Sequence, residues 1–229
     1  MIKQAFRFPF GDDRGAAAEV LLVGGGLHLL SVFVPLVPLV PVVGYLVRVL
    51  GDAGDASDPG RLPSFRAPLR LLRDGLVASL LVVAFLLVPV VVLLVTFVGA
   101  LQGNAGGAGV DPTTPLGYGV TLVGGTVTLL LAIAAVYPLP AVLSAYARSE
   151  ADAGTVARVK AALSLGRLRR TVSTGRYFYG WVIGAVLLLI GLSMAGAGSR
   201  PLRVIGFFSL FYLEVAAAAS WSRGIGGNG

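Results

Sequence analysis

The chain has 229 residues, 56% of them hydrophobic and only 13% charged, with a net charge of +7. Soluble domains carry about 25% charged residues. The 18 basic and 11 acidic side chains cannot cover a water-soluble globule of this size, so the solvent for most of the chain is lipid. With no cysteine there is no disulfide, no thiol nucleophile and no cysteine-ligated metal. A single histidine, His28, excludes histidine-cluster metal sites, and no cofactor is expected. The basic residues, 16 Arg and 2 Lys, sit beside apolar segments, so they point to membrane topology rather than to nucleic acid.

In chain order, residues 1–16 read as a cytoplasmic amphipathic N-terminal segment and 17–229 as a single six-helix transmembrane domain. No secretory signal is evident, because the apolar run follows a polar lead and continues past any plausible cleavage point. A spanning helix needs about 20 apolar residues, and the apolar stretches are 17–50, 75–101, 117–146, 178–198 and 202–221. The last four each suit one helix. The first is too long and carries Pro35, Pro38 and Pro41, which should break it. The expectation is a hairpin, with helices over 17–33 and 37–50. Pro89, Pro138 and Pro140 are expected to kink or end their helices.

Charge tests this independently. The loop 102–116 has no Lys or Arg. The loop 147–177 carries Arg148, Arg158, Lys160, Arg167, Arg169, Arg170 and Arg176, and the segment 48–74 carries Arg48, Arg61, Arg66, Arg70 and Arg73. The positive-inside rule places both basic segments in the cytoplasm. A first hairpin puts Lys3, Arg7 and Arg14 inside as well, leaving only Arg200 and Arg203 outside. The expected fold is therefore all-α: a polytopic membrane bundle, six transmembrane helices in three hairpins, with short cytoplasmic amphipathic segments and both termini inside.

The hairpins share a pattern. PVVGYLVRVLGDAGD (41–55), PAVLSAYARSEADAG (140–154) and, more loosely, FYLEVAAAASWSRG (211–224) each pass through a Tyr and an Arg near a helix end. An ancestral repeat and the chance output of a small apolar alphabet both produce such a pattern. Three stretches, AFRFPFGDDRGAAAEVLLVGGGLHLLS, VPVVGYLVRVL and LPSFRAPLRLLRDGL, resemble the haloarchaeal membrane proteins grouped as domain of unknown function 4013. YPLPAVLSAYARSEADAGTVARVKAALSLGRLRR is similar to a wider set of six-helix bacterial and archaeal membrane proteins. The resemblance implies a fold and a topology. It implies no activity and carries over no catalytic residue.

Several residues are candidates for function. In RLPSFRAPLRLLRD, Leu62, Phe65, Leu69 and Leu72 recur at helical spacing beside Arg66, Arg70 and Arg73. In the second basic segment Val156, Val159 and Leu163 form a stripe that precedes Arg167, Arg169 and Arg170. Both patterns suit a helix in the headgroup layer with arginines on anionic lipid, a docking face for an acidic partner, or basic loops that only set topology. Glu214 lies roughly 12 Å and His28 roughly 16 Å from the cytoplasmic side at 1.5 Å per residue. They form a candidate intramembrane polar pair, the other reading being that they face different partners. Glu19 and Asp74 are read as helix-end acids, where solvation is easy. Gly180, Gly184, Gly191 and Ala195 make a small-residue helix-packing stripe, with a homodimer seam as the alternative. Gly24, Gly25 and Gly26 lack a following Lys–Ser/Thr, so they are no phosphate loop.

No paired carboxylates, catalytic triad, metal spacing or nucleotide loop is present, and the spans hold too few polar groups for an intramembrane enzyme. The expectation is a non-catalytic, multi-pass cell-membrane module that binds lipid, anionic by preference, with a homo-oligomer or another membrane protein as partner. A small transporter or channel subunit is the alternative.

Overall fold

The computed structural model describes residues 8–10, 14–53, 62–104, 114–149, 154–196 and 199–226. Most of the 1–16 segment and of the 102–116 loop therefore lies outside the described residues. Among those described there is no strand, and the elements are one 3-10 turn at Phe8–Phe10 followed by nine α-helices. These are α1 (Arg14–Leu30), α2 (Leu39–Asp52), α3 (Pro68–Asn104), α4 (Pro115–Val136), α5 (Leu139–Ala147), α6 (Thr155–Ala162), α7 (Leu165–Val172), α8 (Gly175–Ala195) and α9 (Arg200–Ile225). Four stretches are long and apolar enough to cross a membrane: Pro68–Val98, Gly117–Ala147, Gly175–Ala195 and Pro201–Ile225. Gly15–Leu30 is apolar but shorter, and α2 has 14 residues.

Prolines set most of the boundaries. The 17–50 stretch breaks between Leu30 and Leu39, where Pro35 and Pro38 leave no helical ladder and Leu36 takes a φ of 70°. Tyr137 and Pro138 separate α4 from α5. α4 opens with Thr114 accepting from the Gly117 N–H and with Pro115 at the first position, where its missing donor costs nothing. Pro89 lies inside α3, which continues through it.

The 61–73 segment departs from expectation. Residues 62–67 are not helical, and 68–73 form the first turns of the 37-residue α3 rather than a separate surface helix. Pro68 disfavours the right-handed helical region for Ala67, which takes a φ of 68° and starts the helix there. Leu62 and Phe65 consequently turn into the protein, and Phe65 stacks on Tyr45 with ring centroids 4.5 Å apart. Leu69 and Leu72 stay exposed, so the four residues do not share one face.

The chain divides into two compact units, residues 1–79 with 140–229, and residues 80–139. The first has a core of Phe8, Val20, Val42, Tyr45, Val49, Leu50, Leu71, Phe211 and Val215. Its helices approach closely at glycine. A Cβ on Gly44 would overlap the Leu71 carbonyl, and one on Gly75 would overlap the Val40 carbonyl, so α2 and α3 meet backbone to backbone. The Leu50 carbonyl near the end of α2 accepts from Ser144 of α5 at 3.2 Å and from Ser222 of α9 at 2.8 Å. Three helix ends are thereby tied together, which answers the unpaired-carbonyl problem of a helix C-terminus.

The second unit is built otherwise. Its hydroxyls Thr96, Thr126 and Thr128 bond back to carbonyls of their own helices. Gly124 of α4 faces the Thr96 side chain of α3, whereas Gly125 faces open space.

Candidate functional site

His28 and Glu214 are brought together. His28 is on α1 and Glu214 on α9, with Nε2 3.3 Å from both carboxylate oxygens and the hydrogen bond through Oε1. Glycine makes the approach possible: a side chain on Gly24 would overlap the Phe211 ring and one on Gly25 the Phe208 ring. His28 Nδ1 lies 3.0 Å from the Gly24 carbonyl. A carbonyl only accepts, so Nδ1 carries a hydrogen and donates it. The contact between Nε2 and the carboxyl then holds one further proton, either on imidazolium facing carboxylate or on carboxylic acid facing imidazole. Both forms are net neutral, which avoids an isolated charge in hydrocarbon.

A second cluster escaped the sequence reading. Asp74, expected as a solvated helix-end acid, is 3% exposed, and Arg158, counted among the topology-setting arginines, is 2% exposed. The Arg158 Nη1 donates to Asp74 Oδ1 at 3.1 Å, and the Tyr146 hydroxyl donates to the same oxygen at 3.0 Å. Nη2 donates to the Tyr146 carbonyl at 3.2 Å, and the guanidinium carbon stands 4.1 Å from the Tyr146 ring centroid. Arg70 and Arg73 stand 3.7 and 3.8 Å from Asp74. α6 thus buries Arg158 and Ala162, while Val156 of the expected apolar stripe is 82% exposed and Leu163 is also exposed. Val156 and the capping Leu163 point outward and Arg158 points inward. One signal existed: Asp74 is the only carboxylate between Asp58 and Asp111, and it follows Arg61, Arg66, Arg70 and Arg73.

This cluster walls a cavity of ≈ 640 Å³ that also includes Arg48, Asp52, Ser64 and Ala67. Arg48 Nη1 donates to the carbonyls of Ser64 and Arg66, at 3.3 and 3.1 Å, which pins the irregular 62–67 segment over α2. A smaller cavity of ≈ 160 Å³ is bordered by Ser144, Arg148, Arg167 and Thr171. Arg66, Arg70, Arg73, Arg167, Arg169 and Arg170 are all exposed. Gly180, Gly184 and Gly191 face α9 of the same chain, against the Ser220 carbonyl, the Trp221 ring and Leu210, and Ala195 lies against Gly206. The stripe serves the α8–α9 contact, where Ser220 donates to the Gly180 carbonyl and Trp221 Nε1 to that of Trp181. Among the described residues no group of three His, Asp or Glu could hold a metal ion.

The model of a family described as protein of unknown function DUF4013 matches residues 27–198, more than half of the chain. The chain belongs to that family. The DUF4013 match takes in His28, Asp74, Tyr146 and Arg158 and ends before Glu214. No curated protein and no solved structure matches the chain.

Proposed function

We propose that this DUF4013 protein is a six-span, non-catalytic membrane module with both termini cytoplasmic, which binds anionic lipid through two arginine faces. In this reading α1 and α2 are the first two spans and α4 with α5 the fourth. The observation that carries it is the pairing of exposed arginines with exposed apolar side chains. Arg66, Arg70 and Arg73 flank Leu69, which is 82% exposed. Arg167, Arg169 and Arg170 follow Leu165, which is 81% exposed. Apolar groups beside guanidinium groups suit the boundary between acyl chains and phosphates, where each basic residue contributes about 1 kcal/mol to binding an anionic surface.

The test uses the full chain extracted from membranes containing both neutral and anionic lipid, with retained lipids counted by native mass spectrometry. The wild type should retain anionic lipid, and a variant with all six arginines changed to glutamine should lose that preference. Equal retention of neutral and anionic lipid by the wild type contradicts the reading.

The alternative, a small transporter, draws on the shared proton at His28 and Glu214. Neither residue borders the two cavities described above. Proton flux in proteoliposomes that vanishes in Glu214→Gln would favour the transporter.

A further inference from the structure

We infer that the cavity between α2, the 62–67 segment, α3 and α6 is a binding site for a phosphate group, carried by a lipid headgroup or free in solution. This goes beyond the surface contact with lipid: Arg48 and Arg158 are not among its arginines, although Arg70 belongs to both. The cavity, at ≈ 640 Å³, falls within the range of about 300–1,000 Å³ usual for small-molecule sites. Three guanidiniums, Arg48, Arg70 and Arg158, and two carboxylates, Asp52 and Asp74, border it. Asp74 is already engaged by Tyr146 and Arg158, and Arg73 stands beside it as well. Three guanidiniums against Asp52 and Asp74 leave one positive charge in excess, on the side of Arg48 and Arg70, the latter 3.7 Å from Asp74.

The donors are placed for an anion. Arg48 is fixed through two backbone carbonyls, so its position does not depend on a carboxylate. Arg158 is buried and its Nη1 and Nη2 already donate to Asp74 and Tyr146, so it adds positive charge to the wall rather than free donors. Arg70 is exposed on the cavity wall, and a planar fork of N–H groups matches phosphate oxygens two at a time. Phosphate supplies several acceptors on one centre, which a neutral lipid glycerol or a sugar hydroxyl does not.

The full-length protein in phosphatidylcholine nanodiscs is titrated with inorganic phosphate and, separately, with dioctanoyl phosphatidic acid. Saturable binding is expected in at least one arm. Phosphatidic acid alone would identify the lipid headgroup, and both would identify the phosphate group itself. Arg48→Gln should weaken binding tenfold or more, whereas Arg176→Gln, an exposed arginine that borders neither cavity, should leave it within twofold. Should Arg48→Gln not fold, Ser64→Cys supplies a single thiol on the cavity wall, and bound ligand should slow its alkylation at least threefold. Binding of neither ligand, equal affinity in Arg48→Gln, or unchanged alkylation overturns the proposal. If binding is lost in a variant that carries Arg66→Gln and Arg73→Gln on the lipid-facing surface but kept in Arg48→Gln, the surface reading stands and the cavity site falls.

Discussion

Residues 80–139 contain no lysine or arginine, whereas residues 1–79 and 140–229 hold all 18. The difference extends to the hydrogen bonds. In the first unit side chains reach across helices, as in His28 to Glu214, Arg158 to Asp74, and Ser144 and Ser222 to Leu50. In the second the threonine hydroxyls turn back to their own helices. Between lipid-soluble helices burial of apolar area gives little drive, so close packing and interhelical hydrogen bonds decide which helices stay together. The first unit has both devices, and its glycines at 44 and 75 let two backbones touch. Among its described residues the second presents apolar side chains, and Thr96, Thr126 and Thr128 bond within their own helices. One unit carries polar contacts between helices; the other keeps the described ones within a helix.

The sharpest way to break this contrast is to add bulk at glycine. Gly75→Leu would drive a side chain into the Val40 carbonyl and should destabilise the fold by about 3 kcal/mol or more, at the upper end of overpacking costs. Gly125→Leu, which meets nothing within 4 Å, should change stability by less than about 0.5 kcal/mol. Thermal unfolding in detergent compares the two, and equal losses would erase the distinction between the units.

Next in size is the buried ion pair. Arg158→Met leaves Asp74 buried with its best partner gone, and should cost about 3–5 kcal/mol. Adding Asp74→Leu should recover much of that loss in the same unfolding measurement, because the stranded charge is removed too. A double variant no better than the single one would mean that Arg158 matters through packing on Tyr146 rather than through charge.

The intramembrane pair should be smaller. In a double-mutant cycle on His28→Leu and Glu214→Gln, the coupling is expected at about 0.6 kcal/mol and below about 1.7 kcal/mol, the mean and the maximum for hydrogen bonds between membrane helices. Additive losses would mean that the 3.3 Å contact contributes nothing. The least effect is expected in the second unit, where Thr96→Val removes only a bond to its own helix and should cost under about 0.5 kcal/mol.

Features that depend on local chemistry were legible in the sequence. Proline acts on its own backbone, so the breaks at 31–38 and 137–138 could be placed without a partner helix. His28 and Glu214 stood out because an ionisable group deep in an apolar run has few ways to be satisfied. Features that depend on what packs alongside were not legible. Ala67 and Pro68 broke the regular spacing of Leu62, Phe65, Leu69 and Leu72, and two of those residues joined the core. Spacing on α6 identified an apolar stripe but not its direction, which is set by the partners Arg158 finds in Asp74 and Tyr146. Asp74 resembled a solvated helix end until Tyr146 and Arg158, more than 70 residues away, closed over it.

We propose that the polar unit belongs to a chain that crosses the membrane in three hairpins, with its arginine-rich face in the cytoplasm. The chain has no native cysteine, so single-cysteine variants labelled with an impermeant maleimide test this directly. Arg7→Cys and Arg169→Cys should react only from the cytoplasmic side, and Gly107→Cys only from outside. A cysteine at 7 that reacts only from outside, while one at 169 reacts only from inside, would contradict the account, because α1 and α2 could not then both be spans.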